Sequence, residues 1–212
     1  MLEGHKLIHL VGIGGCSMNG LAQILRSRGF SVQGSDKAQS QFTRRLEQLG
    51  IPVFIGHDAK NLGDADLLIY SAAIRPDNPE RAAAREHNIP EVERADALGM
   101  ISEGFEQVVA IAGCHGKTTI TSMLALIACH CDTGEAGAHP MDATIHIGGF
   151  VDFLNGGVRI GRGGMVITEE CEYVESFLTL SPTIALISNI DNDHLDYFQS
   201  MENICLLYTS PS

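Results

Sequence analysis

The sequence predicts an α/β fold arranged as two consecutive strand–helix units. Three observations carry that prediction. A short apolar strand runs into a glycine loop and then a helix at residues 7–28, and the same pattern recurs at 108–129. Between these starts, strand and helix signals alternate, as they do in layered α/β proteins. The chain is 212 residues long and 44% hydrophobic, enough for a sizeable core in one large or two small domains.

Each element has a local justification. Residues 7–13 (LIHLVGI) form an apolar strand. Met18, Leu21, Ala22 and Leu25 recur at helical spacing across 18–28, and Gly29 stops that helix. Residues 30–33 form a second strand, 43–49 a short helix ending at Gly50, and 53–55 a third strand. Asp66 leads into a fourth strand at 67–70. Residues 78–86 are helical, with Pro79 in the first turn, where its missing N–H costs nothing. The polar stretch 103–107 (EGFEQ) separates this unit from the next, placing units at 1–103 and 108–204. In the second unit, 108–112 is a strand and 118–129 a helix. Residues 132–144 and the glycine-rich 148–164 are expected to be loops. Apolar strands follow at 165–168 and 183–190.

Charge narrows the chemistry. Residues 1–103 hold 11 Lys/Arg against 13 Asp/Glu, and residues 104–212 hold 3 against 13. An acidic half of this kind disfavours nucleic acid, which needs clustered Lys and Arg. No apolar run approaches the ~20 residues of a membrane span. The N-terminus lacks the pattern of a signal peptide, so a cytoplasmic protein is expected. The six cysteines form no C-x-x-C pair and are expected to be ordinary reduced thiols.

The second glycine loop, Gly113-Cys114-His115-Gly116-Lys117-Thr118-Thr119, reads as a phosphate site. Backbone N–H groups at a helix N-terminus attract an anion, Lys117 adds a mobile charge, and Thr118 is placed to ligate Mg²⁺. The loop is shorter than the common Walker form, whose first glycine position is taken here by Ile111. The first loop, with Gly12, Gly14 and Gly15, is followed about 20 residues later by Asp36, a spacing that suits a ribose acceptor. Taken alone it suggests a dinucleotide such as NAD(P), or a tight turn without ligand. Ser17 stands where a third glycine belongs. Glu169, Glu170 and Glu172 follow one strand and Asp191 to Asp196 another, so both clusters fall at strand carboxyl ends beside the Lys117 loop. Such a crevice suits one or two Mg²⁺ ions. Read singly, the glutamates could be a solvated turn and His194 a helix cap or surface residue.

Together the motifs resemble the Mur ligase family from about residue 6 to about residue 204. The carriers are Gly12-Ile13-Gly14-Gly15 with Met18 and Ala22, Gly34-Ser35-Asp36, Ser71-Ala72-Ala73-Ile74 with Asp77-Asn78-Pro79-Glu80, the Lys117 loop, Ile147-Gly148-Gly149, the 169–173 cluster and Asn189 through His194. The resemblance is strongest to the branch that joins L-alanine to UDP-N-acetylmuramate in peptidoglycan precursor synthesis. It implies a Rossmann-like UDP-binding domain at 1–103 and a partial P-loop, ATP-binding central domain at 108–204. It also implies ATP and Mg²⁺ as cofactors, and an acyl phosphate made from the substrate carboxylate and attacked by the amino acid. By motif position, Lys117, Glu169 and His194 are the implied catalytic residues. Residues 113–119 would hold ATP, and Thr118, Glu169 and His194 the metal. Gly12, Gly14, Gly15, Ser17, Asp36 and Ser71 would hold the UDP-sugar. Cys114 departs from the usual threonine, Ser17 from a common glycine, and Asp142-Ala143-Thr144 lacks a middle proline; none of these removes a charged or ligating group. The family pattern stops after Ile204. Residues 205–212 are therefore expected to be a non-native tail, the C-terminal ligase domain to be absent, and the chain alone to be poorly soluble and nearly inactive. A tripeptide-recycling ligase and a non-catalytic nucleotide-binding module remain alternatives.

Overall fold

The computed structural model describes residues 2, 4–130, 141–170, 178–191 and 199–209. Five strands form a first sheet: β1 (Leu7–Val11), β2 (Ser31–Asp36), β3 (Val53–Ile55), β4 (Leu67–Tyr70) and β5 (Glu91–Glu93). All pairs are parallel, in the order β3-β2-β1-β4-β5. The chain winds outward from β1 to β3, then returns to the other side of β1. A crevice therefore opens between the ends of β1 and β4, where open α/β sheets bind ligands. The helices of this half are α1 (Cys16–Ser27), α2 (Gln41–Gln48), α3 (Pro79–Glu86) and α4 (Arg94–Ser102).

The second sheet comprises β6 (Gln107–Ala112), β7 (Thr144–Val151), β8 (Gly156–Arg159), β9 (Met165–Glu169) and β10 (Ile184–Ile187), in the order β10-β6-β9-β7-β8. Its pairs are parallel except for the β7–β8 hairpin. Helix α5 (Lys117–His130) follows β6, and α6 (Met201–Thr209) runs without a break across position 205.

Local chemistry sets the helix starts. Asn78 Oδ1 accepts from the Glu80 and Arg81 backbone N–H groups, with Pro79 in the first turn. Ser40 and Thr43 cap α2 reciprocally. Helix α1 begins after Gly15 with no side-chain cap, leaving its first N–H groups turned toward the glycine loop. Its apolar residues Leu21, Ile24 and Leu25 are fully buried. They share one cluster with Ile8 and Leu10 of the first sheet and with Val158 and Val166 of the second. Helix α1 thus stands between the sheets as a common wall.

A buried polar knot lies beneath the carboxyl ends of β1 and β2. Glu80, in the first turn of α3, is fully buried. It accepts from Ser35 Oγ at 2.5 Å and Asn61 Nδ2 at 2.6 Å, and its Oε2 lies 3.2 Å from His57 Nδ1 and 3.7 Å from His9 Nε2. Burial alone would raise its pKa, but the nearby His9 imidazole and the bonds from Ser35 and Asn61 outweigh that and bring it down to about 2.

Several elements differ from the sequence reading. Strand β2 extends through Gly34 to Asp36, although that stretch is small and polar. A Cβ at Gly34 would lie 2.4 Å from the Leu10 carbonyl oxygen, so glycine marks close strand packing there rather than a turn. The β7–β8 hairpin takes in residues 144, 148–151 and 156–159, all expected as loop, together with 145–147. Gly157 is required because a Cβ would meet the Ile147 carbonyl at 2.3 Å and Cys16 Sγ at 2.8 Å. Strand β5 and helix α4 had no sequence signal strong enough to read. Helix α5 exposes Met123, Leu126 and Ile127, and the edge strand β10 exposes Ile184 and Ile187. Among the described residues no helix is long and apolar enough to cross a membrane. Cys16, Cys114, Cys129 and Cys205 are free thiols, and Cys131 and Cys171 lie outside the described residues.

Candidate active site

The first glycine loop turns at the end of β1. Gly12 has φ +83°, a conformation that favours glycine, and its Cα faces Ser71 and Ile74 at the end of β4. The Gly12 and Ile13 N–H groups bond the Ser35 carbonyl. Asp36 Oδ2 accepts the Gly14 N–H at 2.9 Å, and a Cβ at Gly14 would stand 2.8 Å from that oxygen. The carboxylate therefore braces the loop, with Oδ1 accepting from the Ala38 N–H at 3.3 Å. Gly12 thus lies beside Ser71 and Gly14 is bonded to Asp36, whereas the Ser17 hydroxyl, in the first turn of α1, meets Arg94 and His146.

The second loop turns at the end of β6. Gly113 and Gly116 have φ +120° and +79°. Gly113 is packed hard against the chain after β10, where a Cβ would strike Ser188 Oγ at 2.3 Å. Around Gly116 nothing among the described residues lies within 4 Å of such a Cβ. Asn189 fastens this loop: its side-chain oxygen accepts from His115 N–H and its carbonyl from Cys114 N–H. Cys114 Sγ meets the Asp191 backbone, accepting its N–H at 3.2 Å, so the departure from threonine keeps a bond to that segment. Helix α5 starts at Lys117, which directs its first N–H groups into the opening. Lys117 Nζ reaches back to the Gly113 and Cys114 carbonyls. Thr119 and His115 are exposed at the rim.

Glu169 ends β9 beside this loop. Its Oε1 accepts from Thr118 Oγ1 at 3.1 Å and from the Gly148 N–H at 2.9 Å. Its Oε2 is buried and has no hydrogen-bond partner among the described residues. Burial pushes its pKa up, against the pull of Gly148, Thr118 and Lys117. A buried carboxylate oxygen with no donor among the described residues, next to a threonine hydroxyl, offers oxygen ligands of the kind a hard cation takes. Among the described residues no group of three or more His, Cys, Asp or Glu side chains converges on a metal position. His194, the third expected ligand, and Glu172 lie outside the described residues.

Sequence reasoning missed three participants. Gly148 reads as loop glycine but supplies an N–H to Glu169. His146 and Arg94 carry no local motif, yet both bond Ser17 of the first loop. The one sequence hint was the proximity of His146 to Gly148-Gly149; Arg94 had none.

Comparison with known proteins agrees with this geometry. Residues 7–106 match the family profile described as Mur ligase family, catalytic domain, and residues 164–206 match the Mur ligase middle domain. The chain is 45% identical over 205 residues to UDP-N-acetylmuramate–L-alanine ligase of Alkaliphilus metalliredigens, covering 96% of this chain and 43% of that protein. It is 47% identical over 199 residues to the enzyme of the same name from Acetivibrio thermocellus, covering 94% and 41%. The chain therefore spans about two fifths of the length of these relatives. Among solved structures, UDP-N-acetylmuramate-alanine ligase MurC from Thermotoga maritima superposes with a TM-score of 0.84 at 33% identity, covering 96% of this chain and 46% of that one. The UDP-N-acetylmuramate:L-alanyl-gamma-D-glutamyl-meso-diaminopimelate ligase of Neisseria meningitides gives 0.77 at 28% identity, covering 96% and 66%. Two glycine loops on one parallel and one mostly parallel sheet, with a Thr–Glu pair beside the lysine loop and two matching domain profiles, place this chain in the Mur ligase family.

Proposed function

We propose that this chain carries the UDP-sugar-binding and ATP-binding parts of a ligase that joins L-alanine to UDP-N-acetylmuramate. The observation that carries the reading is the Thr118–Glu169 pair beside the Lys117 loop, with a buried Glu169 Oε2 that has no hydrogen-bond partner among the described residues. The relatives' names supply the substrates. Residues 1–103 hold the UDP-sugar, its diphosphate over Gly12, Gly14 and Gly15 and its uridine toward Asp36. Residues 108–204 hold ATP.

In the reaction, the γ-phosphoryl of ATP passes to the lactyl carboxylate oxygen, giving ADP and an acyl phosphate. The amine of L-alanine then attacks the acyl carbon and expels phosphate, leaving an amide. The loop N–H groups and Lys117 hold and neutralise the phosphate chain, with Nζ exchanging its loop carbonyls for phosphate oxygens. Thr118 and Glu169 would hold Mg²⁺, and by motif position His194 would hold a second ion. When bound, the metal neutralises charge on the phosphate oxygens. The sheet topology brings both loops to strand carboxyl ends, and burial keeps Glu169 from solvent.

Titration calorimetry tests the reading. UDP-N-acetylmuramate and a non-hydrolysable ATP analogue are each expected to bind, the latter only with Mg²⁺. Absence of binding by both sinks it. The resemblance to the tripeptide ligase fold provides the second reading. In the full-length protein, phosphate release dependent on the tripeptide rather than on L-alanine would favour it.

A further inference from the structure

The two glycine loops belong to different sheets, yet they are joined by a closed ring of polar contacts that no phosphate-site motif requires. Ser17, in the first turn of α1, is its hinge. Its Oγ accepts from Arg94 Nη1 at 3.3 Å. Arg94 also grips Glu170 with both terminal nitrogens, at 2.7 and 3.1 Å, and the Glu170 side chain is only 2% exposed. On the other side, His146 Nε2 lies 3.1 Å from the Ser17 carbonyl and 3.2 Å from Ser17 Oγ. Its Nδ1 lies 3.1 Å from Thr168 Oγ1. The imidazole is fully enclosed, and burial pushes its pKa down. The neutral ring therefore donates from Nε2 to the Ser17 carbonyl and accepts at Nδ1 from the Thr168 hydroxyl.

Both arms end on immediate neighbours of Glu169. Thr168 precedes it and Glu170 follows it, so the peptide carrying the candidate cation ligand is clamped on both sides by groups that lead to Ser17. The junction has little slack. A Cβ at Gly20 would lie 2.8 Å from His146 Cδ2, and Cys16 Sγ bonds the Gly149 carbonyl at 3.1 Å. A bidentate Arg–carboxylate pair is a stiff strut rather than a loose surface pair. Displacing the first turn of α1 thus displaces the backbone at Glu169, and the reverse.

We propose that Arg94 is a positioning residue that couples the first glycine loop to the Thr118–Glu169 pair, so that ligands at the two loops bind interdependently. The inference rests on the reading of both loops as nucleotide sites. It touches neither ligand directly: Arg94 acts through Ser17 on one side and Glu170 on the other. Because binding coupling is reciprocal, either ligand can report it.

The test is calorimetric titration of the whole chain with UDP, with and without saturating Mg²⁺ and a non-hydrolysable ATP analogue. The UDP Kd of the wild type is expected to change by about fivefold or more between the two conditions, the lower range of measured couplings. In Arg94→Ala that ratio falls to within about twofold of one. Ser17→Ala, which removes only the shared hydroxyl, lowers the ratio in the same direction and carries the test if Arg94→Ala does not fold. A merely structural role would weaken both titrations and leave their ratio alone. Binding of both ligands to the wild type with a ratio near one overturns the coupling and spares the nucleotide reading, as does an unchanged ratio in the folded variants. Failure of both ligands to bind overturns the nucleotide reading and the coupling with it.

Discussion

Replacing Glu80 with glutamine should destabilise the fold by an amount that depends on pH in a defined way. Glu80 is fully buried and accepts from Ser35 and Asn61, with His57 and His9 close by. Its pKa falls from 4.5 to about 2. That difference corresponds to about 3 kcal/mol favouring the ionised, folded form. The folded pKa is depressed, so this stability is fully present above pH 4.5. It is lost as pH falls from there toward 2. Glu80→Gln lacks the titration, and its amide N–H₂ faces donors rather than acceptors. The variant should therefore lose about 2–3 kcal/mol at pH 7, where bonds to a buried charge are removed. By pH 3 about 2 kcal/mol of the gap should have closed, because the wild-type carboxyl is then taking up its proton on unfolding. Urea unfolding followed by far-UV circular dichroism, run on both proteins at pH 7, 4 and 3, measures the gap directly. General acid destabilisation affects both chains and cancels in the difference. A gap that stays constant from pH 7 to pH 3, or no gap at pH 7, would refute the assignment of Glu80 as a buried, hydrogen-bonded anion.

Two further outcomes follow from the same coordinates. Glu169→Gln should weaken Mn²⁺ binding, read by electron paramagnetic resonance in the presence of an ATP analogue, on the order of 10–100-fold; unchanged affinity would remove Glu169 from the cation site. Gly34→Ala should lower stability by about 1–3 kcal/mol in urea titration, because its methyl meets the fixed Leu10 carbonyl rather than a movable side chain; a neutral result would contradict the close packing of β1 and β2.

Legibility from sequence varied with the range of the interaction. Both glycine loops could be read because their demands are local. Gly12, Gly113 and Gly116 each take a positive φ, and each loop lies between an apolar strand and a helix start. Lys117 and Thr118 follow from that frame by spacing alone. Asp36 was read as a ribose partner, whereas in the structure its Oδ2 braces the Gly14 N–H. Most of the β7–β8 hairpin was taken for loop because its glycines look like turn residues. Gly157 is there because Cys16 of α1 and the Ile147 and Gly149 carbonyls approach too closely for any side chain.

By itself, then, the sequence determined the α/β class, the two glycine loops and the family resemblance. All three are written in short segments whose backbone preferences need no distant partner. Only the tertiary structure decided which side chains meet. Arg94 and Glu170 are 76 residues apart, Ser17 and His146 are 129 apart, and Glu80 finds Ser35 across 45. Such contacts leave no periodic trace, because a single buried polar residue looks the same in sequence whether its partner exists or not. Packing the two sheets against opposite sides of α1 created those partners, and with them the link between the loops.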